Sequence, residues 1–123
     1  MTAQSLGVWA AHFGDARSPF LSARRVSELL GVTQSELARL VGVARNTLTA
    51  RSGTRKVDQA LSPVVSILAM ASEMAGDENR AVIWFKHQPI PGWAGKTAYD
   101  LVGEGKANKV LAYLEAVRSG VYA

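Results

Sequence analysis

Residues 34–51 read QSELARLVGVARNTLTAR, and this stretch decides the fold. Leu37, Leu40 and Val41 recur at helical spacing, and Thr33 stands three residues ahead of Glu36, the separation of a capping box. Gly42 ends that helix early. A second helix begins near Ala44 and carries Leu48 inward. Ala38 is small where the two helices must cross closely, Gly42 can take the positive φ of a tight turn, and Leu37, Val41, Val43 and Leu48 are placed to pack beneath. These are the spacings of a helix-turn-helix unit. The pattern departs at Arg51, where one more apolar residue is expected, so the second helix is expected to be short or tilted. An ordinary helical hairpin with polar outer residues is the competing reading.

Working outward, helix signals continue in both directions and strand signals are nearly absent. Ser22 can cap a helix carrying Val26, Leu29 and Leu30 on one face, with Gly31 to stop it. Downstream, Ser62 and Pro63 form an N-cap and first-turn pair for VVSILAMASEMA, which Gly76 closes. Asp77 caps DENRAVIWFKH, and the pair Pro89 and Pro91 stops it. A short helix from Thr97 follows, then a longer one from near Lys106 to Ser119. The longer helix repeats Val110, Leu111, Leu114 and Val117 at helical spacing and ends at Gly120. The fold class is all-α. Residues 1–20 read as a partly helical extension, 21–60 as the helix-turn-helix region, and 61–123 as a small helical module. The segment VVSILAMASEMA is apolar on more than one face, which predicts a homodimer through Val65, Leu68 and Met70.

A chain of 123 residues is one domain, or a small domain with an appended module. Its 48% apolar content suffices for a core, yet no segment approaches the roughly 20 consecutive apolar residues of a membrane span. The start, MTAQSLGVWAAHFGD, lacks a basic region followed by a long apolar run. Cysteine is absent, which excludes a disulfide framework and thiolate metal sites. A soluble, cytoplasmic protein is expected. Of the 14 basic residues, eight lie in residues 1–60 against four acidic ones, while residues 61–123 hold six of each. The excess positive charge therefore sits with the helix-turn-helix, where a polyanion would meet it.

Side chains at the start of the second helix of such a unit enter the major groove of DNA. Arg45 can reach guanine O6 and N7, and Asn46 can pair with adenine N6 and N7, with Thr47 and Thr49 beside them. Gln34, Arg51, Arg55 and Lys56 suit phosphates, which fix position without reading sequence. For any one of the last three, a solvated loop position is an equal alternative.

Enzymatic readings find little footing. GKT at residues 95–97 has the letters of a phosphate-binding loop, but such a loop needs glycine five positions before Gly95, and Ile90 stands there. The preceding segment is a helix ending in prolines, not a buried strand. Gly95 turning the chain, with Thr97 and Asp100 capping the next helix, explains the same letters. His12 and His87 have no second ligand at metal spacing, and the carboxylates are scattered among basic residues. Neither a catalytic residue, a metal site nor a cofactor is expected, and binding is favoured over catalysis.

The last forty residues remain to be explained. Trp84 before a proline loop with Pro89, then Gly95 with Lys96, Leu101 and Val102, Gly105, Val110, Leu114 and Gly120 form a specific series. Together with the helix-turn-helix, of Xre/Cro-like type, the series resembles the Xre/MbcA/ParS-like antitoxins, partners of RES-domain toxins, over about residues 20–123. That family often has proline just after the helix cap where this chain has Ala98. The resemblance implies an antitoxin of a type II toxin–antitoxin system, neutralising a toxin that consumes NAD or transfers ADP-ribose by occluding its active site, and repressing its own operon. Carried onto this chain, the toxin-binding role falls to Lys106, Lys109, Arg118, Gly120, Val121, Tyr122 and Ala123, with Lys96 at the helix start. Trp93 and Tyr99 are open to either packing on the core or facing the partner. A plain helix-turn-helix repressor with a C-terminal dimerisation region is the alternative.

Overall fold

The computed structural model describes residues 22–50 and 55–120. Seven helices make up the regular structure among them: α1 (Ala23–Leu30), α2 (Gln34–Val41), α3 (Arg45–Ala50), α4 (Arg55–Ala75), α5 (Glu78–His87), α6 (Ala98–Gly103) and α7 (Ala107–Arg118). The sole extended pairing among the described residues is an isolated bridge between Pro89 and Thr97. The extension at residues 1–20 and Arg51 lie outside the described residues.

Side-chain caps start four of the helices. The Ser22 hydroxyl accepts from the Arg25 N–H at 3.3 Å, and an Asp77 carboxylate oxygen accepts from the Asn79 N–H at 2.7 Å. Thr33 and Thr97 each form a full capping box, with Glu36 and Asp100 respectively. In each box two of the unpaired N–H groups of a helix start are satisfied reciprocally, so the sequence marks these boundaries sharply.

The centre of the molecule is α4, which packs most extensively against α5 and α7 and also touches α1 and α2. Here the reading of Ser62 and Pro63 as a helix start is corrected: the helix begins at Arg55, and Pro63 lies inside it. Proline within a helix loses one hydrogen bond and crowds the preceding turn, a cost of about 3 kcal/mol. Val57 and Leu61, in the first and second turns of the helix, are fully buried on the stripe that continues through Val64, Val65 and Leu68. Burying each such side chain contributes about 1.5–3 kcal/mol, so two of them offset the proline. Tertiary packing outweighed the local signal.

The same packing accounts for the apolar character of α4. Val65, Leu68 and Met70 are 1%, 0% and 5% exposed within a single chain, so in this conformation they offer no surface to a second copy. The remainder of the core comes from Leu37 and Leu48 of the helix-turn-helix, Phe85 of α5, Leu101 of α6 and Val110 and Leu114 of α7. Ile90, in the proline loop, is buried as well.

Candidate functional site

The helix-turn-helix forms as its sequence directs. After α2, Gly42 adopts φ +78°, and the Val43 N–H closes the turn on the Ala38 carbonyl at 3.0 Å. That bond satisfies one of the carbonyls left open at a helix end, and a left-handed residue is needed to make it. Ala38 is buried where α2 meets its neighbours, and Leu48 anchors α3 from beneath.

This anchoring leaves the polar residues of α3 outward. Arg45, Asn46 and Thr49 are exposed and Thr47 is half-buried. The Thr49 hydroxyl donates to the Arg45 carbonyl at 3.0 Å, so its proton is held within the helix. Gln34 is half-buried at the first turn of α2, while Arg55 and Lys56 are exposed at the first turn of α4. α3 and the first turn of α4 thus both carry exposed basic side chains.

Residues 88–97 form the second notable region. The Ile90 N–H donates to the Lys96 carbonyl at 2.8 Å, and the Lys96 N–H donates to the Trp93 carbonyl at 3.0 Å. Ala94 and Gly95 take φ values of +53° and +82°, which turns the chain back so that Thr97 can cap α6. The letters GKT therefore serve a turn and a helix cap.

Three charged groups converge beside that turn. Glu104 pairs with Lys96 at 2.8 Å and with Lys106 at 3.2 Å, and Lys106 Nζ lies 5.6 Å from the Trp93 ring centre. The two lysines hold the Glu104 carboxyl below its ordinary pKa, chiefly by hydrogen bonds from Lys96 and then Lys106. Trp93, Lys96 and Lys106 are brought together, with Glu104 as the member that sequence reasoning missed. Lys106, two residues after it in the α6–α7 turn, was the local signal, whereas Lys96 stands eight residues earlier, ahead of α6, and is brought to it by the fold.

The other residues expected to face a partner are distributed differently. Tyr99 meets Phe85 edge-to-face at 6.0 Å between ring centres and lines a cleft of about 300 Å³ with Glu36 and Arg39 of α2 and Asp100 and Gly103 of α6. Partial burial, then Glu36, raises the pKa of its hydroxyl. Trp93 and Tyr99, both left open between core and partner, are each half-buried and pack against the core. Lys109 and Arg118 are both exposed on α7 but about two and a half turns apart, on opposite faces. Arg118 is held by Glu115 at 2.6 Å. Gly120 is exposed, and Val121, Tyr122 and Ala123 lie outside the described residues.

A third feature had no part in the expectations. A groove of about 240 Å³ runs between Ala71, Met74 and Ala75 of α4, Ala81 and Trp84 of α5, and Tyr113, Leu114 and Val117 of α7. The consecutive run Val82, Ile83, Trp84, Phe85 signals an outward apolar residue on α5, because four adjacent apolar residues in a helix cannot all face one core, but only Trp84 of the four lines the groove. Among the described residues no three His, Cys, Asp or Glu side chains are grouped to hold a metal, and no helix is long and apolar enough to cross a membrane.

The fold and these surfaces define a helix-turn-helix protein with an appended helical binding module. The chain matches the antitoxin Xre-like helix-turn-helix domain over residues 15–69 and the antitoxin Xre/MbcA/ParS C-terminal toxin-binding domain over residues 70–120. It belongs to the Xre/MbcA/ParS-like antitoxin family. Comparison with curated proteins and with solved structures gave no significant match. The two family domains meet inside α4.

Proposed function

We propose that this antitoxin neutralises a RES-domain toxin, one that consumes NAD or transfers ADP-ribose from it, by covering the toxin's active site with its C-terminal region. It also represses its own operon through α3, with Arg45 and Asn46 reading base edges and Arg55 and Lys56 holding phosphates. Two copies engage two half-sites of the operator, as two-fold DNA readers do. Both activities belong to the cytoplasm, and neither calls for a cofactor or for catalysis by this chain.

The observation that supports the reading best is the order of the parts: a helix-turn-helix with an exposed, basic recognition face, followed directly by a toxin-binding domain. The toxin-facing residues are assigned as the cluster of Trp93, Lys96 and Lys106, Lys109 and Arg118 on the two faces of α7, and the tail from Gly120, so that the toxin reaches around that helix. The test is co-purification with the product of the adjacent reading frame, comparing the full chain with one ending at Ser119. Occlusion by the tail requires that the full chain block NAD consumption and the shortened chain fail to. Equal inhibition by both would remove the tail from the mechanism, and no binding by either would remove the RES toxin.

A further inference from the structure

Among the described residues, two large apolar side chains are exposed, Met74 at 38% and Ile83 at 61%. Met74 lines the groove between α4, α5 and α7, and Ile83 lies in an adjoining cleft that shares Trp84 with it. Met74, Trp84, Tyr113 and Val117 surround the groove, while alanines of α4 and α5 keep it open. No described element covers it.

We propose that this groove is a docking site for the toxin, separate from the charged cluster at Trp93 and from the tail, and that it receives an apolar aromatic or branched side chain from the toxin surface. The proposal rests on the toxin-binding reading of residues 70–120. Every residue lining the groove lies within that matched domain and none in the helix-turn-helix match. Its position also suits the purpose. Val117 stands three residues before Gly120, so a toxin anchored in the groove is held beside the place where the tail departs.

The chemistry fits a protein partner better than a small ligand. The lining is apolar apart from the edges of Trp84 and Tyr113, which gives a ligand little to orient it. Aromatic side chains and methionine around a small apolar depression are the composition of an interface centre, where one buried anchor carries much of the affinity. Methionine adapts its shape to the side chain that enters.

The test uses the full chain and the protein encoded by the adjacent reading frame. Ala75→Arg fills the groove from an exposed position at the end of α4, and Ile83→Arg places a charge in the adjoining cleft beside Trp84, so neither opens the core. Each should weaken the complex by roughly 30-fold or more, the loss associated with an interface anchor, with the thermal midpoint of the free protein unchanged. A second measurement is independent of these variants. The parent chain labelled with 5-fluorotryptophan has three tryptophans, and the Trp84 signal is identified by its loss in Trp84→Phe. At saturating toxin the Trp84 fluorine resonance of the parent chain should shift.

Parent-like affinity in both variants, or an unmoved Trp84 resonance in a saturated complex, overturns the docking site. A fall from dimer to monomer with toxin affinity intact would assign the groove to a second copy of this chain and overturn it too. If the parent chain does not bind that protein, the toxin-binding reading fails first and takes the docking site with it.

Discussion

Two glycines at the junction of the modules should respond to the same substitution with opposite signs. Gly103 is the last residue of α6 and its φ lies outside the left-handed region. A Cβ there would stand 3.9 Å from Leu40 Cδ1, an ordinary contact. Replacing glycine by alanine gains up to about 1 kcal/mol in a helix interior, and about half of that at a terminal position. The new methyl also adds a contact of about 0.1–0.2 kcal/mol. Gly103→Ala is thus expected to stabilise by about 0.5–1 kcal/mol. At Gly42 a Cβ would meet nothing within 4 Å, yet φ is +78°. The left-handed conformation alone costs alanine about 1–2 kcal/mol. Urea unfolding of the full chain measures both, and thermal midpoints should move apart by several degrees in opposite directions. Gly42→Ala should also weaken operator binding, because the strain is relieved by rotating α3 against α2. A neutral Gly42→Ala, or a Gly103→Ala that destabilises by a kilocalorie, would refute the reasoning, since space alone predicts that both are tolerated.

Other expectations follow from single contacts. Lys86 Nζ donates to the Leu30 carbonyl at 2.8 Å, tying α5 to the end of α1, and Lys86→Met should cost about 1–2 kcal/mol in urea unfolding. Glu104 has its pKa lowered by Lys96 and Lys106, so its contribution is present above the unfolded carboxylate pKa and is lost as pH falls through the folded one. Glu104→Gln should therefore flatten the loss of thermal midpoint between about pH 5 and pH 3, while a parallel decline in both proteins would count against the pairing. On operator DNA, Arg45→Ala should relax specificity at one base pair, at about 1–3 kcal/mol. Lys56→Ala should weaken all sequences alike and lower the salt slope by about one, both read by fluorescence anisotropy.

Much of the fold was legible because its boundaries are written locally. Ser22, Thr33, Asp77 and Thr97 each act within three residues of themselves, so a single sequence suffices to find them. α4 shows the opposite case. Ser62 and Pro63 are a sound local start signal, and what overrides it is burial of Val57 and Leu61 against distant helices. The burial of Ile90 in a proline loop, and of Val65, Leu68 and Met70 within one chain, likewise depends on partners that sequence spacing does not reveal. The outward set Arg45, Asn46 and Thr49 was legible from the unit's spacing, but the groove was not, because three separate helices each supply part of it.

The continuity of α4 bears on how the two proposed activities combine. Arg55 and Lys56 stand at its first turn and Ala75 at its last, a separation of about 30 Å along the axis. That distance is several times the Debye length of about 8 Å in physiological salt, so toxin contacts in the groove at one end scarcely alter phosphate contacts at the other by direct charge. Influence of the groove on operator binding must then travel mechanically, and the structure offers two routes. One is α4 itself, which lacks a hydrogen bond at Pro63 and can bend there. The other is the contact of α2 with α6, where Tyr99 and Gly103 meet Glu36, Arg39 and Leu40. Since α2 supports α3, a shift of α6 on toxin binding would reach the recognition helix through packed side chains.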